Sequence, residues 1–185
     1  SPPPPPSPPV LLPAPELVAA IADDPDAGDT VVSMGDTLTL VFSLPTSTPS
    51  LTTSASLNAA LSCKPSASAS VTTLSACLGS VLSGSWSADA TTLTITLGSN
   101  DAALAPQPGA AEFIPLVAGN IRNAPGTSLP ATAASPVLSG SWGASSAELV
   151  FFLAASGSRL EGPLQLAEGE TVALLAQLSL VPSAP

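Results

Sequence analysis

The chain has 185 residues and a formal net charge of −10, from 13 Asp+Glu against 3 Lys+Arg. Three scattered cations, Lys64, Arg122 and Arg159, exclude a nucleic-acid interface and disfavour an anionic membrane surface, since both need clustered positive charge. With no His, the chain cannot build a Ser–His–Asp triad, a Cys–His pair or a His-ligated zinc site.

The first nine residues read SPPPPPSPP. Proline has no N–H to donate and a fixed φ, so this run predicts a polyproline II arm over residues 1–9. A stiff linker and an SH3-type ligand are the plain readings of such an arm. A hydroxyproline-bearing, glycosylated rod is the sharper one, and it makes Ser1, Pro2, Pro3, Pro4, Pro5, Pro6, Ser7, Pro8 and Pro9 candidate attachment sites. The apolar segments that follow, with Val10, Leu11, Leu12, Leu17, Val18 and Ile21, read as an assembly arm. Such an arm would add a strand to a neighbouring subunit, in the manner of donor-strand insertion. An acidic turn-rich loop, ADDPDAGDT, occupies 22–30. Its Asp23, Asp24, Asp26 and Asp29, with Asp36 close behind, offer oxygen ligands of the kind calcium takes. The spacing is not that of an EF-hand, and Asp and Gly are turn formers in their own right.

Residues 37–44, TLTLVFSL, alternate Leu38, Leu40, Phe42 and Leu44 on one face with Thr37, Thr39, Val41 and Ser43 on the other, which predicts a half-buried strand. Residues 50–82 are dominated by Ser, Thr, Ala and Leu and read as loop, with a helical turn near 56–61. Cys63 and Cys77 fall in this stretch. Two Cys are too few for a zinc site and too far apart for a CxxC redox motif, so a local disulfide in an oxidising compartment is expected, with two buried thiols as the alternative. TLTITL at 92–97 alternates again, and 112–118 reads as a further strand. The hexapeptide VLSGSW occurs at 81–86 and again at 137–142, each time ahead of a polar turn and an apolar strand. The repeat predicts two hairpins of matching design with Trp86 and Trp142 at equivalent core positions, or alternatively on a sugar-binding face. A C-terminal hairpin is expected from 164–166 and 172–181 around a turn at 168–170.

The sum predicts an all-β fold: an Ig-like β-sandwich over residues 10–135 and a smaller β-hairpin segment over 136–185 packing on it or on a neighbouring subunit. The apolar stretches at 147–155 and 171–181 are too short or too interrupted to span a bilayer. The chain reads as a processed form or a part of something longer. No Asn-x-Ser/Thr sequon is present, so any glycan is expected to be O-linked, on the prolines or on Ser and Thr of 46–53 and 66–73. Charged residues are only 9% of the chain, and a surface this poor in charge needs sugars or contact with its own copies to stay in solution. A glycosidase would need two separated carboxylates and an aromatic cleft. The acids cluster on one loop and there are two Trp and four Phe, so no enzymatic activity is expected.

Five motifs in order, at 22–29, 35–42, 84–95, 120–128 and 135–140, resemble a tandem β-domain of large secreted and surface glycoproteins from green algae and other protists. The proline arm is similar to the hydroxyproline-rich spacers of pherophorins and extensins. The resemblance implies an extracellular structural protein, similar to mastigoneme or matrix-fibre glycoproteins. The segment after 140 does not restart the repeat with a second DPD loop. The expected function is therefore a protomer of an extracellular filament, a homopolymer joined head to tail, with no cofactor other than O-linked glycans and calcium as a candidate ion. A monomeric carbohydrate- or surface-binding adhesin is the alternative.

Overall fold

The computed structural model describes residues 12–25 and 31–143, together with the backbone of strands Ala147–Leu153 and Leu174–Leu180. It is mostly strand, with few and short helices. The chain divides into two compact units, Ser1–Gly143 and Ala144–Pro185.

In the first unit the alternating segments become β1 (Leu17–Asp23) and β2 (Thr37–Phe42). The second helix-free stretch supplies β5 (Leu82–Trp86) and β6 (Thr92–Leu97). With the two-residue β8 (Ser139–Gly140), these build a five-stranded sheet in the order β5-β6-β2-β1-β8. All neighbours are antiparallel except β1 and β8, which run parallel. The two-residue period sends Leu38, Leu40, Phe42, Leu93, Ile95 and Leu97 inward, where all are buried. Thr37, Thr39, Val41, Thr92, Thr94 and Thr96 stand on the other face.

A three-stranded antiparallel sheet, β4-β3-β7, faces the same core. It comprises β3 (Leu61–Lys64), β4 (Thr72–Thr73) and β7 (Glu112–Pro115). Two helices lie beside it. In α1 (Ser54–Ala60), Thr53 caps the first turn by accepting from the Ser56 N–H, and Ser56 returns the bond to the Thr53 backbone. In α2 (Leu74–Leu78), Thr73 accepts from the Ala76 N–H and Gly79 ends the helix at φ 96°. Leu57, Ala60, Leu74, Cys77 and Leu78 join the core from these helices.

Residues 50–82 thus hold two helices and two strands where mostly loop was expected. The expected strand at 112–118 stops at Pro115 and turns into a 3-10 turn, Val117–Gly119. The first unit also runs past residue 135. Leu138 and Trp142 are buried in its core and β8 closes its sheet, so residues 136–143, grouped on sequence with the C-terminal hairpin, pack here.

The second unit contains β9 (Ala147–Leu153) and β10 (Leu174–Leu180), antiparallel in unbroken register from Leu174↔Leu153 to Leu180↔Ala147. The expected partner of the last strand, 164–166, lies outside the described residues, and the pairing seen is with β9 instead. The two VLSGSW copies accordingly do not make matching hairpins. The first pairs antiparallel with the strand that follows it, while the second pairs parallel with β1.

Candidate functional site

Four features singled out on sequence can be placed. The first is the disulfide. Cys63 on β3 and Cys77 on α2 are bonded, with Cα atoms 6.5 Å apart, and both are fully buried. The bond ties α2 to the three-stranded sheet and closes the segment that carries the exposed Ser68 and Ser70.

The second is the acidic loop. Asp23 ends β1 opposite Thr37, and Asp24 follows it. Asp26 and Asp29 lie outside the described residues. Asp36 is fully buried and already committed. Its Oδ2 accepts from the Ser33 N–H at 2.7 Å and its Oδ1 from the Ser33 hydroxyl at 3.4 Å, closing the turn that leads into β2. Among the described residues no three His, Cys, Asp or Glu side chains converge as a metal site would require.

The third is the tryptophan pair. Trp142 is 5% exposed, and its indole N–H donates to the Pro106 carbonyl at 2.8 Å. Trp86 is partly buried, stacks obliquely on Phe42 with ring centroids 5.6 Å apart, and donates to the Pro49 carbonyl at 2.9 Å. Each indole N–H is therefore satisfied by a backbone carbonyl, with Trp142 inside the core and Trp86 packed against its margin. Of the two rings, only that of Trp142 is buried.

The fourth is the arm. Val10 and Leu11, with the candidate glycosylation sites at residues 1–9, lie outside the described residues. Leu12 is exposed. Leu17, Val18 and Ile21 lie in β1, which pairs with β2 of the same chain from Leu17↔Phe42 to Asp23↔Thr37; Leu17 is buried, while Val18 and Ile21 are exposed. The short connection from β1 to β2 makes closure within the chain entropically cheap, and the inward residues Leu17, Ala20 and Ala22 fill the chain's own core.

In the first unit, the described sheet edges, which are the natural templates for pairing with another chain, are short or occupied. At β5, the Leu82 N–H donates to the Ser54 hydroxyl at 2.8 Å, and the Leu51 carbonyl sits against Gly84. At β7, the Phe113 N–H donates to the Ser135 hydroxyl at 3.0 Å, and the Ser135 N–H donates to the Phe113 carbonyl at 2.8 Å. β8 offers only two residues. These are the ways folded chains blunt their edges.

The feature that sequence reading missed is the placement of the two chain ends of this unit. β1 begins at the end of the sheet that holds Phe42 and the 87–91 turn, and it finishes at the end that holds Asp36 and Leu97. Because β8 runs parallel to β1, the chain leaves the unit at this second end. The second VLSGSW copy was the available signal, but a two-residue parallel pairing has no pattern of its own in sequence.

Electrostatically, the surface carries few charges. Lys64 pairs with Glu112 across β3 and β7 at 3.3 Å, both partly exposed. The Arg122 guanidinium is spent on the chain itself, with Nε donating to Asn120 Oδ1 at 2.6 Å and Nη1 donating to the Ser128 carbonyl. Asn123 Oδ1 accepts from the Thr127 and Ser128 N–H groups at 2.8 and 3.1 Å, so the NIRNAPGTS motif is a self-bonded loop. Asp101 is held down to about 2 by hydrogen bonds from the Ser80 and Ser99 hydroxyls and the Ser80 N–H. Asp89 is lowered by the Ser87 hydroxyl and then by Thr91. Both carboxylates cap turns on the surface.

No protein-family model, curated protein or solved structure matches this chain. Among the described residues, no helix is long and apolar enough to cross a membrane.

Proposed function

We propose that this chain is an extracellular structural glycoprotein. In this reading, an Ig-like β-sandwich on a polyproline II arm is linked in series with its neighbours into a filament or matrix fibre. The observation that carries it is the parallel pairing of β1 and β8. A domain whose first and last strands are parallel takes in its chain at one end and releases it at the other, which is the connectivity a linear array needs.

Three further features support the reading. The Cys63–Cys77 bond suits an oxidising, extracellular setting. On β2 and β6 the outer face of the large sheet is built from Thr and Val, so a neighbour could lie against those strands without desolvating charge. Exposed hydroxyls at Thr48, Ser50, Thr52, Ser68 and Ser70 are open to O-linked sugars, whereas those of Thr53 and Thr73 cap helices and Thr46 is buried and donates to the Ala90 carbonyl at 3.0 Å. The resemblance to algal and protist surface glycoproteins points the same way.

Electron microscopy of native, unproteolysed material tests the reading. Regular filaments, with density beyond the protein where the proline arm emerges, are the expected result. Separated single particles at native concentration would overturn it.

A further inference from the structure

The parallel β1–β8 pair has a mechanical consequence. Tension applied before Leu17 and after Gly143 draws these two strands past each other along their own axes. The bonds between them then carry load together, as in a lap joint, and none can open without the others. A pair pulled sideways from one end opens bond by bond.

We propose that the first unit is a tension-bearing link whose clamp is the β1–β8 pair together with the buried ring of Trp142. The source of the tension rests on the filament reading, while the clamp rests on geometry alone. Its register is Ile21↔Ser139 and Ala22↔Gly140. The Ser139 hydroxyl adds a bond to the Ala20 carbonyl at 3.0 Å, and the Ser141 N–H donates to the Ala22 carbonyl at 3.1 Å. β1 is held on its other flank by β2, in continuous register from Ala19 to Asp23 and with an irregularity between Leu17 and Ala19.

The departing segment is anchored just as firmly. The Leu138 N–H donates to the Ala111 carbonyl, and the Gly109 N–H to the Leu138 carbonyl, both at 2.7 Å. Downstream of β8, Trp142 sits in the core with its N–H on Pro106, so a pull from beyond Gly143 must withdraw a whole indole ring. Gly140 lets the strands come this close: its φ is 80°, and a Cβ there would run into the Ala22 backbone carbonyl. The Cys63–Cys77 bond is off this path and instead limits how far the unit extends once the clamp has failed.

Single-molecule force spectroscopy on the full chain tests the proposal. One preparation carries handles at Leu12 and Pro185, which load the clamp in shear. A second carries them at Leu12 and Ala88, an exposed turn residue at the same end of the sheet as the start of β1, which opens the sheet strand by strand. First-unit events are recognised by their length, which rises by about 40 Å when the disulfide-closed segment is released by reductant. Forced rupture follows the unfolding barrier along the pulled direction, so the shear geometry is expected to break at about twice the force of the second geometry or more. Ser139→Ala is expected to lower the shear force and leave the other unchanged. Equal forces in the two geometries, or an equal loss in both from Ser139→Ala, would overturn the clamp. The experiment uses isolated chains, so its outcome is separate from whether filaments form.

Discussion

Replacing both Cys63 and Cys77 by Ala removes the one covalent cross-link of the first unit. The bond closes a loop of 14 residues. In the chain-entropy treatment, a loop of that size restricts the unfolded ensemble by about 3 kcal/mol at 25 °C. Both sulfurs lie in the core, so Ala in their place also gives up some packing, which moves the effect in the same direction. The assay is urea unfolding followed by tryptophan fluorescence. Both tryptophans belong to the first unit, so the signal is not mixed with the second. With a slope of about 1.5–2 kcal/mol per molar urea, the midpoint should fall by about 1.5–2 M. Reductant added to the wild type under native conditions should act slowly, because a fully buried bond is reached only through opening of the fold. A midpoint shift under about 0.5 M would refute the reasoning, since it would mean that the 63–77 loop adds little constraint to the unfolded chain.

Three other perturbations follow from local geometry. Ala90 holds a left-handed conformation, φ 61°, where the 87–91 turn feeds β6, so Ala90→Gly should relieve strain and raise stability by about 1 kcal/mol in the same urea assay. Gly140→Ala meets both a positive φ and the Ala22 carbonyl, and should cost more than about 2 kcal/mol with loss of the buried Trp142 emission. For acid, the folded-state pKa of Asp101 is lowered from 3.8 to about 2 and that of Asp89 is lowered as well, so the folded state binds these protons more weakly than the unfolded one. Their contribution is complete above the ordinary carboxylate range and is lost as pH falls through it toward 2, so Asp101→Asn should flatten that part of the stability-versus-pH curve.

The strands that were legible in sequence are those whose partners share a clean two-residue period. In β2 and β6, Leu38, Leu40, Leu93 and Ile95 alternate with Thr and are buried as the pattern demands. The disulfide was legible because two Cys leave few chemical options. What could not be read was set by tertiary partners. The segment LSCK becomes β3 only because β7 and β4 lie on either side of it. Helix α2 is five residues long and depends on the disulfide and a Thr73 cap more than on propensity. The hexapeptide VLSGSW shows the limit most clearly. At 81–86 a five-residue turn returns the chain to pair with β5, whereas at 137–142 the nearest free backbone is β1, already in place and running parallel. The apolar residues of β1 were visible in sequence, but whether they served this chain or the next depended on a partner strand that composition does not reveal. Of the candidate sites, the disulfide is seen among the described residues, while residues 1–11, Asp26 and Asp29 lie outside them.

In the proposed link, tension passes through the first unit from the start of β1 to the end of β8. The most direct test is the orientation of this unit inside the native assembly, obtained by cryo-electron microscopy of intact material with helical reconstruction. The expected result is strands of the five-stranded sheet running close to the filament axis, with Leu12 and Gly143 at opposite ends of the first unit along it. Strands lying across the axis, with β5 or β8 continued by a strand from the next copy, would contradict it.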